Sequence, residues 1–497
     1  MLQGKKGLIK IRWGGKKEQG GYLTVFAALL MTVLISLVLV LIEGVRQNAV
    51  RLEAEIITDI GLDSIMAEYH REMLAQYNMF WVDTSYGTSY PSPDAVGNHL
   101  YRYLEKNCIQ DDLFMQDLWY KDFVGMSVGE ARITGVSVAS DHGGEVFRRR
   151  AVEAIRDDIG IAWLEKITEW ITTTEEYGLG NRNIEEEKKE VDDNIQEYDG
   201  MEKQLSETEW VTVQVNNPTL ALEQQRSAGI LKLVLEHPED ISGTGVDLSG
   251  LLTARIGQGN VNSGNWPLET SQDQDFTDRL FFQEYIMRYG GCFGKEKGKG
   301  LLSYQTEYVI AGKPNDTDNL KNVVYRISAF REAANAIYLW SDETKCAEAY
   351  TAAAAAASAM LLPEITPLLE ASIILGWAYA ESLYDVKMLL SGGKVPLLKD
   401  ADSWHYDISC VFEGVSDEAC TANGQGLEYQ DYLRILLMLT DLDAQTLRFM
   451  DIVEMDIRQT PGNGNFRMDG CIDRVKADIL INSLYGYSYQ FTRSKVY

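Results

Sequence analysis

Residues 22–42, YLTVFAALLMTVLISLVLVLI, form an uncharged run that begins directly after Gly20 and Gly21. At about 1.5 Å rise per residue it is about 30 Å long as a helix, the thickness of a bilayer core. A charged interior cannot accommodate such a run, so it must be buried in protein or lie in lipid. Before it stand Lys5, Lys6, Lys10, Arg12, Lys16 and Lys17, while only Arg46 and Arg51 follow it closely. That asymmetry predicts a single span with a cytoplasmic N-terminus and the remaining chain outside the cell membrane. A cleaved secretory signal is the competing reading, but the run is longer than a signal core and no Ala-x-Ala site follows Ile42. The next apolar region, residues 350–398, is broken by Pro363, Glu364, Pro367, Glu370, Glu381 and Asp385, so it reads as buried helices of a globular body.

Helical periodicity continues past the run. Val45, Ala49, Leu52, Ile56, Ile60, Met66, Tyr69, Met73 and Tyr77 recur mostly at steps of three and four, which marks one apolar stripe. Anchor and stalk therefore read as one helix from Tyr22 to Tyr77, about 84 Å long. The stripe packs either on the chain's own domain or laterally on neighbouring copies, through self-association of the N-terminal helix.

The basic leader, the glycine junction and the apolar N-terminal helix running into a soluble head resemble type IV pilins and pseudopilins. The resemblance implies cleavage by a leader peptidase at Gly20, Gly21 and Tyr22, with the fifth mature position, normally glutamate, held here by Phe26. In that family the glutamate neutralises a neighbouring subunit's new N-terminus, so Phe26 departs from the pattern where assembly is concerned. A second resemblance runs along nearly the whole chain. The segments GYLTVFAALL, LIEGVRQNAVRLEAE, LDSIMAEYHREMLAQYNMFWVD, DHGGEVFRRRAVEAIRDDIG, NPTLALEQQRSAGILKLVL, LLSYQTEYVIAGKPNDTDNL, ILGWAYAESLYDVKMLLSGGKVPLLK and EYQDYLRILLMLTD are similar to an uncharacterised family of exported, single-pass proteins of Gram-positive anaerobes. Members of that family tend to lie beside tight-adherence (Tad) pilus genes. The resemblance implies partners in a Tad-type pilus or secretion apparatus and supplies no activity.

The chain carries 46 basic and 74 acidic residues; the leader holds six of the former and one of the latter, leaving a body of about −33. Such a body repels nucleic acid and anionic lipid, so nucleic acid is excluded as a partner. With 45% hydrophobic residues, 10 Trp, 26 Tyr and 14 Phe, a packed core is nonetheless expected. Six cysteines, Cys108, Cys292, Cys346, Cys410, Cys420 and Cys471, lie in the exterior portion, where three disulfides are possible and Cys410 with Cys420 makes the shortest loop.

The expected fold class is α+β and predominantly helical, with a long N-terminal transmembrane and stalk helix, a small sheet including C-terminal strands, and an inserted helical domain. The expected divisions are a leader (1–21), a span (22–42), a stalk (43–85), the first part of an α+β head (86–172), a helical arm and connection (173–265), a helical domain (266–400) and a C-terminal part completing the head (401–497). Residues 129–141 alternate as a strand, residues 144–172 read as a helix, and residues 181–210 show broken heptads that suit a projecting helical hairpin or a charged helix interrupted at Gly200. Residues 216–265, rich in Gly, Ser and Asn, read as a long, partly ordered connection. Residues 429–456 pair two helical patterns, and Ala477, Ile479 and Ile481 alternate in a terminal strand expected to join the strand around Ile133.

Chemistry-bearing motifs are sparse. His70, His99, His142, His237 and His405 make no HExxH spacing, and neither GxSxG nor GxxxxGK[ST] occurs. Glycines 290, 291, 294, 298 and 300 around Lys295, Lys297 and Lys299 suit a flexible surface loop, and Asp273, Asp275 and Asp278 lack the glycine and late glutamate of a calcium loop. Glu370, Glu381 and Asp385, with Lys387 and Lys394 nearby, stand in an otherwise apolar stretch, where a buried pair either locks helices together or serves as general acid/base. No enzyme activity, cofactor or metal is expected. The expected function is an envelope-anchored structural or assembly component of a Tad-like apparatus, with a signal-anchored surface hydrolase or an exterior adhesin or sensor as alternatives.

Overall fold

The computed structural model describes residues 19–108, 125–180, 182–206, 209–215, 219–227, 229–267, 276–298, 300–415, 424–483 and 486–497. The fold is α+β and mostly helical. In chain order come α1 (Gln19–Met66), α2 (Arg71–Tyr77), β1 (Val82–Asp83), α3 (Pro93–Cys108), β2 (Met126–Val138), α4 (Asp141–Ile155), α5 (Ile161–Glu176) and α6 (Ile184–Gln196). The hairpin β3 (Glu202–Ser206) and β4 (Glu209–Thr212) precedes α7 (Leu220–Ser227), α8 (Ile230–Val234), α9 (Leu252–Gly257), α10 (Phe276–Tyr289) and α11 (Gln305–Ala311). Then follow α12 (Asp316–Ser341), α13 (Glu343–Ala359), α14 (Thr366–Leu390), α15 (Ser409–Glu413), α16 (Tyr429–Leu439), α17 (Leu442–Arg458), β5 (Cys471–Ser483) and β6 (Ser488–Val496). One sheet has the order β1-β5-β2, with β6 also pairing β5, and β1 runs antiparallel to β5 with Val82 opposite Ile472.

The chain divides into two compact units. The first is built from three separate segments, Met1–Ala67, Val96–Thr134 and Lys476–Lys495. Its core joins Val50, Ala54, Ile57, Leu62 and Ile65 of α1, Leu100 and Leu104 of α3, and Ala477, Ile479 and Ile481 of β5, all buried. The alternation along β5 is the period of two that places every second side chain on the covered face. At Gly61 the absent side chain lets α1 approach α3: a Cβ there would lie 2.7 Å from Leu104 Cδ2. Gly61→Leu is therefore expected to cost about 1–3 kcal/mol by overpacking. Gly44→Leu on the same helix, with nothing within 4 Å, serves as the control; equal melting of the two variants by calorimetry would remove this account.

The second unit comprises Glu68–Ala95, Gly135–Val475 and Val496–Tyr497. Its helices start on side-chain caps that satisfy otherwise orphaned amides: Asn315 accepts from the Asp318 amide at α12, Asp342 from Thr344 and Lys345 at α13, and Asp441 from Ala444 at α17. Pro367 opens α14, where a missing N–H costs nothing. The alanine run of α13 has a packing role, because Ala349, Ala353 and Ala357, four apart, are fully buried, and α13 packs on α14, which also lies along α12.

Four expectations are corrected. The N-terminal helix ends at Met66 and does not continue to Tyr77, because the chain turns so that the His70 amide donates to the Trp81 carbonyl (2.7 Å) and the His70 ring caps α2. The helix expected over residues 144–172 is two, interrupted at residues 156–160. After α6 the arm returns as the β3-β4 hairpin, turning where Gly200 has φ +78° and its amide donates to Val213. Residues 219–265 are packed, with Leu222, Leu231, Val234, Leu251 and Leu252 buried.

Candidate functional site

Among the described residues, α1 is the one helix long and apolar enough to cross a membrane. It holds no proline, and two hydroxyls inside the apolar run are satisfied locally, Thr32 Oγ1 donating to the Ala28 carbonyl and Ser36 Oγ to the Val33 carbonyl (both 2.8 Å). Gly20, Gly21 and Tyr22 lie in its opening turns, and Tyr22 (82%) and Phe26 (62%) are exposed, as are the large apolar side chains through Ile42.

Past the run, α1 has two apolar faces. The covered one carries Val50, Ala54, Ile57, Leu62 and Ile65; at the end nearest the apolar run Gln47 Nε2 donates to the Tyr487 hydroxyl (2.9 Å), which bonds Glu43, and the Tyr489 hydroxyl donates to the Gln47 carbonyl (3.2 Å). Arg46 first, then the Tyr487 hydroxyl, holds the Glu43 carboxyl below its ordinary range. The other face carries Val45 (70% exposed), Ala49, Leu52 (60%), Ile56 (44%) and Ile60 (42%), which is open. Of the remaining residues of the predicted stripe, Met66 is buried at the end of α1, Tyr69 lies beyond the helix, edge-on to Phe80 at 5.1 Å, and Met73 and Tyr77 are buried on α2. The nine residues thus divide between the open face of α1 and positions at or beyond its end. Periodicity could not tell which of two stripes the chain covers, because a helix apolar on opposite faces satisfies the same spacing twice.

Glu381 and Asp385, one turn apart on α14, do converge, but their partners are Lys399 and Arg331. The Lys399 ammonium bridges Glu381 and Asp385 Oδ1 (2.6 Å to the latter), while Asp385 Oδ2 accepts from Arg331 Nε and Asn335 Nδ2 (3.0 Å each). Arg331 also donates to the Leu397 (2.6 Å) and Pro396 (2.9 Å) carbonyls, and Glu381 accepts from the His405 (3.0 Å) and Tyr406 (2.9 Å) amides. Burial works against the Asp385 charge, yet Lys399 and then Arg331 outweigh it and hold its carboxyl below the ordinary range. Two acids face two bases, so the cluster is neutral and joins α12, α14 and the chain around residues 396–406. A cavity of about 700 Å3 opens beside it, bounded by Tyr384, Trp404 and His405. Glu370 is only half-buried, and Lys394 is exposed and pairs with Glu428 at 2.8 Å. The polar pair Arg331 and Asn335, four apart in an apolar helix, was the available signal for this site.

Other buried acids sit in their own networks. Burial pushes Glu307 up to about 7 although it accepts from the Phe293 amide (2.9 Å) and the Tyr429 hydroxyl (2.8 Å), and it pushes Glu332 to about 7 and Asp451 to about 6. The glycine-rich segment at 290–300 is not a loose surface loop. Buried Asp456 accepts from Lys297 Nζ (3.2 Å), the Leu301 amide (3.1 Å), Gln305 Nε2 (2.9 Å) and the Tyr77 hydroxyl (2.7 Å), tying it to the core. The five described cysteines are free thiols, which overturns three disulfides; Cys420 lies outside the described residues, as do Asp273 and Asp275. Asp278 pairs with Arg156.

Residues 208–483 match a family described as a family of unknown function (DUF5702). No curated protein and no solved structure matches the chain.

Proposed function

The chain belongs to the DUF5702 family of unknown function, and from that premise we propose that it is an envelope-anchored structural or assembly component of a Tad-like, type IV pilus-related pilus or secretion apparatus. In this reading residues 22–42 hold the chain in the cell membrane with the N-terminus in the cytoplasm, and the acidic body works outside. The observation that carries the reading is the open apolar face of α1, Val45 to Ile60, which continues beyond the apolar run on the side that the described residues leave uncovered. Water-exposed aliphatic side chains in a row suit lateral packing against another helix at the membrane, whether a pilus subunit or a second copy. At Glu381 and Asp385 the carboxylates are taken up by Lys399, Arg331 and backbone amides that join helices, which supports a structural role for this cluster.

The N-terminal sequence and intact mass of the membrane-bound protein, made with its own leader peptidase, test this. A mature end at Tyr22 supports pilin-like entry into a fibre, and an intact Met1 supports a fixed subunit beside the apparatus. Release of the protein by carbonate washing would sink the anchored reading. Phe26→Glu restores the acid of the pilin pattern, so if Phe26 limits fibre entry the variant is expected to raise the fraction recovered in sheared filaments; an unchanged fraction means the fifth position plays no part.

A further inference from the structure

In the second unit a cavity of about 590 Å3 is lined by more basic than acidic side chains. Across 497 residues the chain carries a net −28, and the cavity beside Asp385 is lined by three acids and two lysines that already have acidic partners. Here Arg226, Lys313 and Lys321 converge with Asp318 as the one acid of the lining. Of the nearby acids, Glu332 is the ion-pair partner of Arg226 itself, so the two lysines are the cations left for a ligand. Asp318 accepts from Asn315 (2.7 Å), Glu332 from Arg226 (3.0 Å), and Glu185 bonds the Tyr325 hydroxyl. Among the described residues neither Lys313 nor Lys321 has an ion-pair partner.

The Arg226 side chain and the Lys313 backbone are held in place before any ligand arrives. Arg226 lies 4.4 Å from the Tyr379 ring centroid and is tied to Glu332, so its fork has one orientation. Lys313 is presented by a clamp: the fully buried Asn319 accepts from the Lys313 amide (2.8 Å) and donates to the Lys313 carbonyl (3.0 Å). Lys321 belongs to a face of α12 that also gives Asn322, Tyr325 and Ser328 to the wall, at the three and four residue steps of one helix side.

We propose that this cavity binds an organic phosphate. A single carboxylate would be neutralised by one cation, whereas two lysines without acidic partners beside the Glu332-paired arginine suit the double charge of a phosphate group, and the remaining volume, walled by Tyr325, Tyr379 and Ile230, takes an organic body. The site does not depend on how the chain is anchored.

Isothermal titration of the full chain in an uncharged detergent with glycerol 3-phosphate tests the proposal. Saturable binding in the sub-millimolar range, weakened at least about ten-fold in Lys313→Glu/Lys321→Glu, is expected. Both lysines are outside the core, so melting should not change and the loss can be read as binding. No saturable heat up to about 10 mM, or equal binding by the double variant, overturns it. Within the supporting result, phosphatidylglycerol added to the micelles separates two sources: competition identifies a lipid headgroup, and its absence a soluble phosphate.

Discussion

Lys399→Met is expected to destabilise the second unit by about 3–5 kcal/mol, because it leaves two buried carboxylates without the ammonium that bridges them. The size follows from burial. Glu381, Asp385 and Lys399 have almost no solvent to replace the lost partner, so the repulsion between the acids is unscreened. Adding Glu381→Gln alone to Lys399→Met should recover much of the loss, since Asp385 then faces Arg331 and the cluster is neutral again. Lys394→Met removes a superficially similar pair with Glu428, but both partners are about half exposed, and less than about 1 kcal/mol is expected. Tryptophan fluorescence during urea unfolding reads the difference, as the Lys399 ammonium lies 5.6 Å from the Trp404 ring. A Lys399→Met transition no lower than that of Lys394→Met would mean that the cluster does not hold the helices together.

Stability of the second unit should fall between pH 5 and pH 8, and Glu307→Gln should flatten the fall. Glu307 and Glu332 are pushed up to about 7 and Asp451 to about 6, each first by burial. A raised carboxyl binds its proton more tightly folded than unfolded, so its contribution is complete below the unfolded value of about 4.5 and is lost as pH rises through about 7. The acids held low, Asp385 and Asp469, change charge below the ordinary carboxylate range and do not enter this window. For Glu307 the difference corresponds to about 3 kcal/mol at pH 8. Glutamine keeps the Oε1 that accepts from Phe293 and Tyr429 and carries no charge, so the variant should melt higher than the wild type at pH 8 and about equally at pH 5. Parallel pH profiles for the two proteins would remove Glu307 as a source of the dependence.

Much of the fold was legible because some patterns have only one physical solution. An uncharged run of this length, the alternation at Ala477, Ile479 and Ile481, and six consecutive alanines each point to one local structure, and α1, β5 and α13 are those structures. The strand around Ile133 joins the terminal strands in one sheet, as the alternation implied. Where two solutions share a pattern, the sequence did not choose. The apolar spacing past Met66 fits a continuing helix until the Trp81 carbonyl takes the His70 amide, a bond between residues eleven apart that no local propensity carries. The segment after Gly200 reads as helix by composition and pairs as strands through contacts with Glu209–Thr212. At the carboxylate cluster the acids were visible and their partners were not, because Arg331 and Lys399 reach them only when α12 and the chain after α14 have packed.

The assembly of the first unit from three segments has a consequence for the order of events in synthesis. Val50, Ala54, Ile57, Leu62 and Ile65 leave the ribosome roughly 400 residues before Lys476–Lys495, the segment that brings β5 and β6 to them. At about 5–20 residues per second that is a wait of roughly 20–80 s. Throughout it the second unit can complete most of its helical core from its own contiguous stretch, while α1 has only α3 against its covered face. A ribosome that stops short of the last twenty-odd codons therefore leaves a nearly finished globular body and a helix that never receives β5 and β6, and quality control would have that half-covered helix, not a misfolded head, to detect.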